Sequence, residues 1–203
     1  KILFTRFFSS FLLMIIIFPI IIYYNKLLLL IKFFIYLFIF YEVRNNFNFK
    51  KIIYIYLILS LLASEFYIFY FFNLNFFIIF VLVIILFDSY SYLFGSIFKG
   101  KRAFPHISPN KTYSGLILGY LFTTISIYLL NKFFILSYSI NKLLFFTSLI
   151  ILFSLIGDLL ESFFKRKSNI KDSSQLIPGH GGFFDRFDSF IFAAFLLPIS
   201  IYL

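Results

Sequence analysis

Continuous apolar runs of about 17 to 22 residues recur along the chain, separated only by short polar segments. Roughly 20 helical residues cross the hydrocarbon core of a bilayer, and a helix satisfies its own backbone groups there. Seven spans are predicted, at about 7 to 24, 27 to 43, 52 to 72, 76 to 94, 113 to 130, 143 to 160 and 187 to 203. The runs do not alternate with a period of two, as the strands of a membrane barrel would. The predicted fold is all-α, a polytopic transmembrane helical bundle of about seven spans with two functional cytoplasmic loops. With 62% hydrophobic and 13% charged residues, the chain lacks the polar coat of a soluble domain.

The charges it has are unevenly placed. With a cytoplasmic N-terminus, the inside segments carry Lys1, Arg6, Arg44, Lys50, Lys51, Lys99, Lys101, Arg102, Lys111, Lys165, Arg166, Lys167, Lys171 and Arg186, and the outside segments only Lys26, Lys132 and Lys142. This is the positive-inside pattern. The net charge of +10 therefore serves topology and anionic lipid, and no nucleic acid partner is expected. Lys32 and Glu65 fall inside apolar spans and are expected to snorkel towards the outer surface. The absence of cysteine excludes disulfides and thiolate chemistry, so any metal must use oxygen or imidazole ligands.

Two long inside connections, about 95 to 112 and 161 to 186, hold most of the Gly, Pro and His. Just before the second, Asp158, Glu161, Ser162 and Lys165 fall at spacings of three and four, on one face of a helix end. Ionisable groups at such depth face a protein interior or a water-filled cavity; the bland alternative is a helix end in the headgroups with an internal Glu161 to Lys165 pair. Beyond it come Lys171, Asp172, the run Pro178, Gly179, His180, Gly181 and Gly182, then Asp185, Arg186 and Asp188. Asp158 and Asp185 are the candidate ligands of a hard cation, which takes carboxylate and phosphate oxygens. Lysine and arginine around them would hold phosphate charge. Asp172 as a turn cap, and Asp188 as a partner of Arg186 or Lys171, are the structural alternatives.

Ser162, Lys165, Arg166, Lys171, Asp172, Pro178, His180, Gly181, Gly182, Asp185, Arg186 and Asp188, with Gly157 and Asp158 ahead of them, closely resemble the signature of phosphatidate cytidylyltransferases, also called CDP-diacylglycerol synthases. A second block agrees: Asp88, Tyr92 and Gly95, then Ser108, Pro109, Lys111, Thr112 and Gly115. Where that family has Gly followed by a basic residue, this chain has Lys99 followed by Gly100. The resemblance implies a catalytic set of Asp158, Asp185, Lys171 and Asp172, with magnesium on Asp158 and Asp185 and room for a second cation. It implies substrate contacts from Asp88, Ser108, Lys111, Thr112, Lys165, Arg166, His180, Gly181, Gly182, Arg186 and Asp188.

The implied partners are CTP, phosphatidic acid and membrane lipid, with a homodimer left open. The implied location is a bacterial cytoplasmic membrane, the site facing the cytoplasm. Residues 1 to 75 would be N-terminal spans and 76 to 203 the catalytic membrane region. In the implied reaction the lipid phosphate attacks the α-phosphorus of CTP and pyrophosphate leaves. A transferase acting on another lipid and a cation-binding transporter are the competing classes; the transporter would spread polar residues through the span centres on broken helices.

Overall fold

The computed structural model describes residues 25–133, 138–177 and 181–202. Among them the chain is helical: α1 (Asn25–Asn46), α2 (Lys50–Tyr70), α3 (Leu74–Phe98), α4 (Tyr113–Phe133), α5 (Ile140–Lys167) and α6 (Phe184–Ala193), the last continued by a 3₁₀ segment (Ala194–Tyr202). Four of these, α2 to α5, are long and apolar enough to cross a membrane. Their outward faces carry large apolar side chains such as Ile55, Leu62, Ile117 and Phe145, the surface that lipid solvates and water does not.

Seven spans are thus not borne out among the described residues. The first predicted span, 7 to 24, lies outside them. The second is a helix, but Lys26, Lys32, Glu42 and Arg44 keep α1 out of the membrane-crossing class. The seventh is no single α-helix: α6 is ten residues long, about 15 Å, before the chain tightens into the 3₁₀ segment containing Pro198. Lys32 and Glu65 pair across α1 and α2 at 2.7 Å, with Lys32 donating to Ser64 at 3.0 Å.

Local sequence explains the joints that matter for the site. Asn73 caps α3 by accepting from the Phe76 amide at 3.1 Å, and α3 ends on Lys99 in the left-handed region, φ 42°. What reads in the sequence as a loop then folds into a hairpin, β1 (Arg102–Phe104) antiparallel to β2 (Ser108–Thr112). The return helix α4 lies directly on α3 because Gly115 has no side chain: a Cβ there would stand 2.5 Å from the Ser91 carbonyl oxygen.

Among the described residues α5 is the longest helix, 28 residues or about 42 Å, some 12 Å more than a hydrocarbon core needs. Its polar C-terminal turns project beside the hairpin. Two apolar clusters hold the bundle together. Phe80, Val83, Ile150 and Leu196 belong to one, and Ile39, Ile53, Leu57, Phe184 and Ile191 to the other.

Candidate active site

The polar end of α5 gains its neighbours through Gly157. A Cβ at that position would come within 2.5 Å of the Asp188 carbonyl oxygen and 2.9 Å of Phe192 Cβ, so only glycine lets α6 lie this close. The contact sets Asp188 of α6 beside Asp158 of α5. Opposite them the hairpin delivers Lys111, whose Nζ meets Asp158 Oδ2 at 2.5 Å. Ser162 approaches Asp158 Oδ1 more loosely, at 3.4 Å. Asp88 completes the wall from the last turns of α3, one element before the hairpin.

These residues enclose a polar cavity of about 340 Å³. Of the residues expected from sequence it brings together Asp88, Ser108, Lys111, Thr112, Asp158, Asp185, Arg186 and Asp188. The wall also includes Ser91, Asn110 and Ser189, small polar residues to which the sequence reading gave no role. Both long polar connections meet here, and Arg166 adds a tie from its Nε to the Ile107 carbonyl at 3.4 Å.

Charge at this wall does not balance. Asp88, Asp158 and Asp188 stand close enough to repel one another, and Lys111 acts on all three. Four carboxyl groups, Asp185 included, against Lys111 and Arg186 give the oxygen-rich donor chemistry that accepts a hard cation. Among the described residues no group of three or more carboxylate or imidazole side chains is arranged to hold a metal alone. A cation here would complete its shell from substrate oxygens, as magnesium commonly does.

Asp185 is held differently. Its Oδ1 accepts from Lys165 at 2.7 Å, and its Oδ2 from the Ser173 amide at 2.8 Å, Ser173 Oγ at 2.9 Å and the Gly182 amide at 2.8 Å. Burial pushes its carboxyl up, but the bonds from Lys165 and Gly182 and the Lys165 charge outweigh it and hold the group below the usual carboxylate range. Lys165 lies between two acids, pairing also with Glu161 at 2.7 Å, so the expected internal pair forms.

The remaining candidates lie off the wall. Lys171 and Asp172 are exposed on the loop after α5. Gly181, at φ +81°, is bridged to Ile177, and Gly182 donates to Asp185. His180, with Pro178 and Gly179, lies outside the described residues. Glu42 of α1, absent from the sequence reading, is fully buried against the same loop.

Comparison with known proteins bears on this arrangement. Residues 4–203 match the model of the cytidylyltransferase family. A phosphatidate cytidylyltransferase of Staphylococcus aureus (strain COL) is 43% identical over 122 residues, covering 59% of this chain and 46% of that protein. Phosphatidate cytidylyltransferases of Staphylococcus epidermidis (strain ATCC 35984) and Staphylococcus haemolyticus (strain JCSC1435) are 41% and 42% identical over 120 residues. The chain spans about half the length of these curated relatives.

Proposed function

This chain belongs to the cytidylyltransferase family, and from that premise we propose that it joins CTP to phosphatidic acid, giving CDP-diacylglycerol and pyrophosphate. The observation that carries the reading is the polar cavity itself: Lys111 and four carboxyl side chains gathered at one end of an otherwise apolar bundle. Diacyl tails stay in lipid against such a bundle while a nucleotide reaches its polar end from water. We place that end at the cytoplasmic face of a bacterial cytoplasmic membrane, as the distribution of basic residues supports.

A phosphomonoester has its second pKa near 6, so the lipid phosphate arrives largely as a dianion and needs no general base. One of its oxygens forms the new bond to the α-phosphorus of CTP. The bond from that phosphorus to the bridging oxygen breaks, and the electron pair leaves on pyrophosphate. The chain's contribution is alignment and charge neutralisation. Lys111, held in place by Asp158, and Arg186 on the opposing wall face the triphosphate. Lys171 and Asp172 approach it from the exposed loop.

Asp158 would hold magnesium, with Asp188 and Asp88 on the same wall and Asp185 joining on release of one of its four donors. When bound, such a cation offsets charge on the attacking and leaving oxygens. The test is direct: the purified chain in lipid micelles, given CTP, magnesium and phosphatidic acid, should release pyrophosphate and CDP-diacylglycerol in equal amounts. Turnover that persists after chelation of divalent cations would remove the metal from the scheme, and folded protein without product would remove the reaction.

A further inference from the structure

α6 begins with backbone amides that its own residues leave uncapped. Phe183, the residue before its first turn, makes no side-chain cap. Free amides at a helix start need acceptors, and the positive end of the helix dipole favours an anion. The anion comes from another helix. Glu42 of α1, 0% exposed, accepts from the Phe183 amide at 2.7 Å and the Phe184 amide at 2.9 Å. It also accepts from Ser174 Oγ at 2.7 Å, and Ser173 Oγ, whose one proton is shared with Asp185, lies 3.0 Å away. A carboxylate offers about four acceptor positions; three are filled outright and the fourth faces Ser173 Oγ.

The surrounding chain is built to this contact. A side chain at Gly182 would collide with Ser173 Oγ and Glu42 Oε1, so the glycine is required by the clamp itself. The end of α1 adds two ties, Asn46 Nδ2 to the Ser173 carbonyl at 2.6 Å and the Asn48 amide to Ser168 Oγ at 3.1 Å. One helical turn beyond Phe184 stands Asp188, at the cavity wall. A shift of the α6 start therefore displaces Asp188 and Arg186 relative to Lys111 and Asp158.

We propose that Glu42 is a positioning residue for the reaction: it caps α6 from across the bundle and thereby fixes the α6 side of the catalytic cavity. A corollary concerns the glycine-rich turn. The amides of Gly182, Phe183 and Phe184 are already given to Asp185 and Glu42, so they are not free to hold substrate phosphate. The catalytic half of the proposal rests on the cytidylyltransferase reading; the structural half rests on geometry alone.

The experiment compares the full chain with its Glu42→Gln, Glu42→Asp and Ser174→Ala variants in detergent, by amide hydrogen exchange and by steady-state kinetics. In Glu42→Gln, exchange of the segment 181–188 should quicken about tenfold or more, while α3 and α4 stay protected. Turnover should fall by about tenfold to a hundredfold with KM for CTP changed less than about threefold, the pattern of lost alignment. Glu42→Asp keeps the charge and should recover part of both. Ser174→Ala removes one donor and should give about a fivefold effect, which keeps the test alive if Glu42→Gln does not fold.

Unchanged exchange at the α6 start in folded Glu42→Gln, or quickened exchange with normal turnover, would overturn the proposal. If the parent chain transfers nothing, the cytidylyltransferase reading fails while the exchange data still decide the clamp.

Discussion

Lys111 and Asp158 meet at 2.5 Å with most of both side chains out of water, so each is expensive to leave without the other. Lys111→Met and Asp158→Asn should each lower CTP-dependent turnover about a hundredfold. The double variant should cost far less than the product of the two, because one pair is removed twice; a double-mutant cycle measures this, and additive losses would show that the residues act separately. Asp185 behaves otherwise. Its four donors make Asp185→Asn destabilising by about 2 kcal/mol, read as denaturant resistance in micelles, whereas a residue that served only as a metal ligand would lose turnover at unchanged stability. Asp158 was legible in the sequence because polar residues at helical spacing stand out at the end of an apolar span, whereas Lys111, on the hairpin, was singled out only by the family resemblance. Glu42 was not. Its partners are amides and hydroxyls more than 130 residues away, and nothing in its local spacing announces them.

Among elements, the contact of α5 with α6 sets the site, and Gly157 sets the contact. Gly157→Ala would place a methyl against the Asp188 carbonyl, forcing the helices apart at a cost of about 1 to 3 kcal/mol. It should lower both melting temperature and turnover, while Leu152→Ala on the exposed face of the same helix should leave turnover unchanged. At the end of α3, Lys99 takes the left-handed conformation that glycine adopts without strain. Lys99→Gly should therefore stabilise the chain by about 1 kcal/mol, measured by denaturation; a loss would mean that the lysine side chain makes a compensating contact. The exchange of Lys99 and Gly100 against the family pattern was visible in sequence, but its consequence needed the backbone. The hairpin was invisible: strands of three and five residues around Pro105 carry no alternating pattern long enough to read.

For the whole molecule, apolar run length made the helical bundle legible, and among the described residues four helices are long and apolar enough to cross a membrane, while α1 carries more charge and α6 gives way to a 3₁₀ segment. α1, ahead of residue 75, holds the loop before α6. Topology is testable because the chain has no cysteine. Labels belong at exposed His106 and Gln175, with Asn141 at the other end of α5. His106→Cys and Gln175→Cys should resist a membrane-impermeant thiol reagent until cells are opened, and Asn141→Cys should react at once; the reverse pattern would turn the site outward. The reaction itself is decided by following phosphate from CTP labelled separately at the α and γ positions, in the presence of phosphatidic acid and magnesium. Attack between the α and β positions predicts that α-label enters the lipid fraction and γ-label leaves as pyrophosphate. Transfer of γ-label into lipid, or no transfer of either by folded protein, would contradict it.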